Sequence, residues 1–320
     1  MIAIDNVINV LCASDNNYVP YCGIMLTSLF ESNKNNRFEV YLMHDGSLSQ
    51  KNVNKLNLLR EKYGNTIHLI TVASEFVSGY SVHSATHVLT MPTYYRLLSA
   101  DILPMELHKV LYLDCDIIVN GNVKVFWDTD IDGYAVSAVK DCSFHYNGQT
   151  YKRLGYSDDF GYFNAGVLLI NLDYWRGFQL AKQYKEFYQN AGPEQLWMMD
   201  QDILNSVLYD KKKLVQERFN FQTEVFMSNF WCRYPKDYQD NLMKECDAAV
   251  IFHYCGSLKP WNRRYNKTVF FNQWNFYRKK SLWKYCRTWE PFLKYAKYII
   301  KKIFFPSKLK GIWIQGFEEV

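Results

Sequence analysis

Between Lys109 and Asn122 the chain runs KVLYLDCDIIVNGN, an apolar stretch of strand character carrying two carboxylates one residue apart. Val110, Leu111, Tyr112 and Leu113 are β-prone, Ile117 to Val119 resume the run, and Gly121 breaks it. In an extended chain the side-chain period of two points Asp114 and Asp116 to the same side. Two bare carboxylates on one face repel, and burying them without compensation is costly. A divalent cation removes that penalty. An isolated Asp-x-Asp is ordinarily a wet loop. Here the flanks are apolar enough for a core strand, and the carboxyl ends of strands in open α/β sheets are where ligands bind.

The rest of the chain supplies such a sheet. Val7 to Ala13 is a short apolar run ending in Ser14-Asp15-Asn16-Asn17-Tyr18, and Pro20 then opens a helical pattern through Ile24, Leu26, Leu29 and Phe30. Phe38 to Met43 predicts a second strand, Val53 to Tyr63 a second helix and Ile67 to Val72 a third strand, an alternation that argues for a parallel sheet with covering helices. No G-x-G-x-x-G follows the first strand and no G-x-x-x-x-G-K-S/T occurs, so a bound nucleotide does without either glycine-rich phosphate loop. Residues 74 to 92 lack periodicity and predict a loop, followed by a helical segment from Thr93 to Leu98 that carries Arg96. Tyr134 to Val139 predicts a strand ending at Lys140-Asp141, and the polar span from Cys142 to Gly161 an excursion that lines an acceptor site. After it come a turn at Asn164-Ala165-Gly166 feeding an apolar strand, an amphipathic helix from Trp175 to Tyr188, a helix opened by Met199-Asp200-Gln201-Asp202, and a late strand from Ala248 to Phe252. Acids in the first turn of a helix suit its dipole.

Composition bounds the alternatives. With 48% hydrophobic residues and 17% aromatics the chain has ample material for a large core, and global disorder is excluded. No stretch approaches the length of a membrane span, and MIAIDNVINVLCASD lacks a basic region followed by an apolar core, which predicts a cytoplasmic protein. The 8 cysteines are scattered without a C-x-x-C pair, so no zinc or disulfide framework is expected, and reduced thiols suit the cytoplasm.

The net charge of +5 hides an asymmetry: residues 276 to 320 hold 11 Lys and Arg against 3 Glu, a net of +8, and residues 1 to 275 hold 26 against 29, a net of −3. In this tail Phe292, Ala296, Ile299 and Ile303 recur at helical spacing while Lys294, Lys297, Lys301 and Lys302 take the other side. A basic amphipathic helix among aromatics predicts a peripheral element on an anionic membrane surface, at the inner face, with packing on the body as the alternative. Nucleic acid is not an expected partner, because the charge is confined to the tail and no nucleic-acid module is visible. The expected organisation is a catalytic body over residues 1–275 and a basic, aromatic tail over 276–320.

Taken together, Asp15-Asn16-Asn17-Tyr18, TYYRL at Thr93 to Leu97, LYLDCDIIV, YFNAGVLLINL at Tyr162 to Leu172, DQDILN at Asp200 to Asn205 and HYCGSLKPW at His253 to Trp261 resemble glycosyltransferase family 8, in that family's order. This retaining family contains bacterial lipopolysaccharide galactosyl- and glucosyltransferases and the glycogenins. The resemblance implies a GT-A fold, an α/β nucleotide-binding domain with a mixed sheet, and transfer of a hexose from a UDP-sugar, UDP-galactose or UDP-glucose, to a glycan acceptor. It makes Asp114, Asp116 and His253 the ligands of Mn²⁺ or Mg²⁺; carboxylates and one imidazole suit such ions better than a thiolate-seeking metal. Ala13, Asp15, Asn17 and Tyr18 match positions that hold the uridine, and Cys115 lies within the same donor site. Lys259 matches the lysine that contacts the diphosphate, and Gly256 lets the backbone come close.

Arg96, Asp141, Asn164, Ala165, Asp200 and Gln201 match positions around the donor hexose. By resemblance Asn164 and Asp200 read hydroxyls, where an unpaired buried partner discriminates between sugars, and Gln201 lies beneath the anomeric carbon. An amide is a poor nucleophile, which favours front-face substitution: the acceptor attacks from the side that UDP leaves, through an oxocarbenium-like state. A donor-contacting histidine in the loop before TYYRL corresponds to His87 or, alternatively, His83. The acceptor implied is a lipid-linked glycan such as a lipopolysaccharide core; the alternatives are extension of a protein O-glycan and a catalytically silent UDP-sugar-binding module.

Overall fold

The first strand, β1 (Val7–Ser14), is buried on both faces: Ile8, Val10 and Cys12 enter one apolar cluster and Leu11 the other. That is the pattern of a strand inside a covered sheet. The computed structural model describes residues 7–82, 90–143, 147–192, 195–226, 231, 234–256, 259–262 and 270–286. Pro20 opens α1 (Val19–Ser32), which returns the chain to β2 (Arg37–His44); α2 (Gln50–Tyr63), capped by the Ser49 side chain and ended by a left-handed Gly64, leads to β3 (Thr66–Thr71). Strands β1, β2 and β3 pair in parallel, as the alternation predicts.

A 3-10 helix, Met91–Leu98, and the short α3 (Ser99–Ile102) precede β4 (Lys109–Leu113). Here the structure departs from the continuous strand expected over the Asp-x-Asp. β4 pairs in parallel with β1, but the chain turns at Asp114-Cys115-Asp116, and β5 (Ile117–Val119) belongs to a second sheet. The ladder has somewhere to stop, because the Asp114 N–H donates to the Gly166 carbonyl at 2.9 Å. Turning there lifts both carboxylates out of the sheet interior, where their burial would be costly.

After α4 (Lys124–Trp127) and β6 (Val136–Lys140) the excursion from Cys142 contains α5 (Gly148–Leu154). β7 (Phe163–Asn171) then runs antiparallel to both β4 and β6, so the sheet is mixed and not parallel throughout. Asn164, Ala165 and Gly166, expected as a turn, lie inside β7. Their turn propensity is overridden because the Asn164 side chain is satisfied by Asp141 and by the Gly166 N–H. The single helix expected over Trp175 to Tyr188 is two, α6 (Leu172–Gly177) and α7 (Leu180–Asn190), separated where Gln179 takes a left-handed φ of 51° after Gly177. α8 (Asp200–Val207) and β8 (Lys212–Val215) complete the larger sheet, in the order β3-β2-β1-β4-β7-β6-β8. β9 (Phe221–Gln222) and β10 (Ile251–His253) complete the smaller, in the order β5-β10-β9.

The helix Phe271–Lys280 runs through residue 276, where the basic tail is expected to begin. It lies against α1: the Tyr277 hydroxyl is 2.9 Å from Ser32 Oγ, Lys280 pairs with Glu31 at 3.0 Å, and the buried Trp283 ring sits directly over the bare Cα of Gly23. Residues 287–320, with the predicted amphipathic pattern, lie outside the described residues. No described helix is long and apolar enough to cross a membrane.

Candidate active site

The antiparallel turn of β7 brings its N-terminal residues to the same sheet edge as the C-terminal ends of β1, β4 and β6. At that edge meet Asp15, Asp114, Asp141 and Asn164, together with His253 at the end of β10 and Asp200 and Gln201 in the first turn of α8. Three of these converge tightly: ligand atoms of Asp114, Asp116 and His253 all lie within 4.8 Å of one another. Gly166 makes the space, since a Cβ there would run into the His253 ring and lie 2.9 Å from Asp114 Oδ2.

The charges of this group are arranged, not merely collected. Asp114 Oδ1 accepts from Arg96 at 2.8 Å and from the Tyr112 hydroxyl at 2.7 Å. Asp116 is gripped by the Lys259 ammonium, which also donates to the Tyr254 carbonyl at 2.7 Å. Burial alone would raise the Asp116 carboxyl, but Lys259 and then His253 outweigh it and hold the group well below the usual carboxylate range. Asn220 settles the histidine. Its amide nitrogen donates to Asn164 Oδ1 at 2.9 Å, so its oxygen faces His253 Nδ1 at 3.0 Å and takes that proton. Nε2 then presents a lone pair to Asp116 Oδ1 at 3.3 Å. Two lone-pair groups facing each other so closely call for a proton or a cation between them. The donor set of two carboxylates and one imidazole fits a hard divalent ion such as Mn²⁺ or Mg²⁺.

A second network adjoins the first. Asp141 Oδ2 accepts from Asn164 at 3.1 Å and from the Gln201 amide at 3.1 Å, while Gln201 Oε1 accepts from the Ala165 N–H at 2.9 Å. Arg96, buried, reaches Asp200 at 3.0 Å and the Ala165 carbonyl and lies 4.4 Å from the centre of the Tyr112 ring. Burial, partly offset by Arg96, pushes the Asp200 carboxyl up to about 6. Met199, just before α8, holds a φ of 48°, so strain is stored where Asp200 and Gln201 are aimed.

On the β1 side, Asp15 Oδ1 accepts the N–H groups of Asn17 and Tyr18, each at 2.8 Å, which makes it a turn-forming carboxylate at the start of α1. Asn17 is exposed and Tyr18 is 39% exposed, its ring T-shaped to that of Trp261 at 6.1 Å. A flat ring open on one side is what a base can stack on. The Cys115 thiol donates to the Ala13 carbonyl at 3.2 Å. Gly256, with a φ of 71°, lies against the Glu224 carboxyl, so the room its missing side chain leaves is taken by a protein group. His83 and His87 fall outside the described residues.

The structure therefore brings Arg96, Asp114, Asp116, Asp141, Asn164, Ala165, Asp200, Gln201, His253 and Lys259 into one connected assembly, with Ala13, Asp15, Asn17 and Tyr18 beside it. Sequence reasoning missed Tyr112, Gly166, Asn220 and Glu224. Tyr112 had a signal: it lies two residues before Asp114, and in the extended chain expected there the period of two puts both side chains on one face. Asn220 had none, since its partners are 33 and 56 residues away.

The sequence matches the model of Glycosyl transferase family 8 over residues 9–265. It is 30% identical over 265 residues to the General stress protein A of Bacillus subtilis (strain 168), covering 81% of this chain and 88% of that protein. It is 25% identical over 304 residues to the Lipopolysaccharide 1,3-galactosyltransferase of Salmonella typhimurium (strain LT2), covering 92% of this chain and 85% of that one. Among solved structures, the galactosyltransferase LgtC in complex with donor and acceptor sugar analogues is similar with a TM-score of 0.71 and 26% identity, covering 86% of this chain and 96% of that chain. Likeness over nearly the whole of both chains makes the fold GT-A, and the chain resembles lipopolysaccharide galactosyl- and glucosyltransferases. With the family model spanning well over half of the sequence, the chain belongs to glycosyltransferase family 8.

Proposed function

We propose that this glycosyltransferase is a retaining hexosyltransferase that moves galactose or glucose from a UDP-sugar to a lipid-linked glycan by front-face substitution. The observation that carries the reading is the convergence of Asp114, Asp116 and His253 beside the Asp141–Asn164–Gln201 network. Asp114, Asp116 and His253 would hold Mn²⁺ or Mg²⁺, which when bound supplies positive charge to a diphosphate. Lys259 is free to serve the same anion once another cation takes its place on Asp116. Tyr18 stacks on the uracil, and Asp15 fixes the turn that presents it.

The hexose lies against Asn164, Asp200 and Gln201. Arg96 keeps Asp200 oriented as an acceptor for a sugar hydroxyl. Gln201, held at its nitrogen by Asp141 and at its oxygen by the Ala165 N–H, presents an amide of fixed orientation beneath the anomeric carbon. That placement stabilises a cationic sugar electrostatically and forms no covalent bond to it. The acceptor hydroxyl attacks from the leaving-group face, and the departing diphosphate takes its proton. The basic tail attaches the enzyme to the anionic inner face of the membrane, where a lipid-linked acceptor is presented.

UDP release from a panel of UDP-sugars, with Mn²⁺ or with EDTA, tests this reading. Selective, EDTA-sensitive turnover of UDP-galactose or UDP-glucose is expected, lost in Asp114→Ala with the fold intact. Full activity of Asp114→Ala would refute the metal assignment. UDP binding without turnover of any donor, even with lipid-linked glycan present, would leave a silent binding module.

A further inference from the structure

Beside the transfer site lies a second group of ligand atoms that the proposed chemistry does not use. Cys142 follows Asp141 at the end of β6, Glu224 lies in the 3-10 turn Thr223–Phe226 after β9, and Cys255 follows His253 by two residues beyond β10. Their two sulfurs and a carboxylate oxygen all lie within 4.8 Å of one another, with Cys142 buried and the other two half-buried. The group is held from several sides. The Cys142 N–H donates to Gln222 Oε1 at 2.9 Å, Gln222 in turn donates to the Lys140 carbonyl at 2.7 Å, and the Tyr234 hydroxyl donates to the Cys142 carbonyl. Glu224 reaches the thiols only because residue 256 is glycine: a Cβ there would collide with its carboxyl.

We propose that Cys142, Glu224 and Cys255 bind a soft divalent cation, Zn²⁺ or Cd²⁺, in a site separate from Asp114, Asp116 and His253. Two thiolates and one carboxylate are three of the four ligands of a tetrahedral thiophilic ion, with a water molecule for the fourth. The neighbouring oxygen-rich group selects harder ions, so the two sites sort metals by chemistry. Two thiolates and a carboxylate overcompensate a divalent charge, and the Lys259 ammonium, within electrostatic reach of both Glu224 and Cys255, offsets the excess. A bound ion ties the end of β6 to the root of the segment that carries Lys259. Cys12 and Cys22 are the competing thiol pair, their sulfurs 3.7 Å apart within the apolar core, but among the described residues they belong to no group of three ligand atoms that lie within 4.8 Å of one another.

The test titrates the reduced full chain with Cd²⁺ in excess Mn²⁺ and follows the thiolate-to-metal charge-transfer absorption in the near ultraviolet. The band is expected to saturate at one equivalent, to be lost in Cys142→Ser and in Cys255→Ser, to need more Cd²⁺ in Glu224→Gln, and to persist in Asp114→Ala. Cadmium-edge X-ray absorption on the unmodified chain reads the ligands without relying on a variant that may misfold, and two sulfurs per cadmium with the balance oxygen are expected. No band in the fully reduced chain would overturn the proposal. So would three sulfurs per cadmium, or a band unchanged in both cysteine variants and lost in Cys22→Ser.

Discussion

Asn220 touches no substrate in the proposed mechanism, yet it connects the two halves of the site by donating to Asn164 and accepting from His253. Groups that fix the free nitrogen of a metal-facing histidine set its tautomer and basicity. Asn220→Ala is expected to weaken activation by Mn²⁺ by about 10–100-fold, with kcat at saturating metal closer to normal; an unchanged Mn²⁺ titration would show that His253 needs no such partner. Lys212 is a residue whose role is energetic. Its buried ammonium, over the rings of Tyr156 and Phe163 and donating only to the Tyr209 carbonyl among the contacts described, is pushed down to about 7 by burial, with Asp210 opposing. The unfolded chain holds that proton up to its ordinary value of 10.5. Between about 7 and 10.5 the unfolded state therefore binds more protons, and this residue's contribution to stability rises with pH across that window. Lys212→Met removes the cost of desolvating the charge and forfeits cation–π contacts of about 0.5–2 kcal/mol each. The expected net is a Tm raised at pH 7 and a shallower rise of Tm with pH, read by thermal melts from pH 7 upward; a lowered Tm at pH 7 would mean that the ring contacts outweigh desolvation.

At the scale of elements, Asp202 joins three segments that sequence alone kept apart. It takes a two-pronged pair from Arg153 of α5 at 2.8 and 3.0 Å, the Tyr162 hydroxyl at 2.8 Å before β7, and the Met198 N–H at 2.7 Å ahead of α8. Its side chain is fully buried, so Asp202→Ala strands a buried guanidinium, at a cost of about 3–5 kcal/mol. A loss of that size in urea unfolding is expected, together with a raised acceptor KM if the excursion lines the acceptor site; a change under 1 kcal/mol (about a fifth to a third of that range) would show that Arg153 finds water instead. The strands β1 and β2 were legible because a sheet covered on both sides asks for short apolar runs, and β3, at the sheet edge, because Ile67, Leu69 and Ile70 still carry enough of that pattern. The turn at Asp114–Asp116 was not, because the β-prone flanks are those of one strand and only the approach of Gly166 and of the second sheet divides them. Asn164-Ala165-Gly166 failed for the converse reason: residues that favour turns are held extended by partners distant in sequence, Asp141 and Asn220. The site was legible where a motif keeps its residues within a few positions, as at Asp114/Asp116 and Asp200/Gln201. Gly166 and Asn220, whose roles exist only across the fold, left no local mark.

For the molecule as a whole, the question is how the acidic body and the basic C-terminal segment work together. The residues from Phe276 to Cys286 are attached to the body: Trp283 covers Gly23, its indole N–H donates to Asn52 at 3.0 Å, and Lys55 lies 5.3 Å from its ring centre. A cut before Phe276 would therefore uncover the core beside α1 as well as remove charge, confounding stability with membrane attachment. A cut after Cys286 separates them. It removes residues 287–320, which hold 7 Lys and Arg against 3 Glu along with the Phe292, Ala296, Ile299 and Ile303 pattern, and it leaves the Trp283 contact in place. Each basic residue near an anionic leaflet contributes about 1 kcal/mol, so co-sedimentation with phosphatidylserine vesicles at low salt should fall by orders of magnitude. The melting temperature and UDP-sugar hydrolysis should stay close to those of the full chain. If the shortened protein instead keeps its vesicle binding, the attachment surface lies on the body; if it melts much earlier, the segment beyond Cys286 packs on the fold and serves its stability.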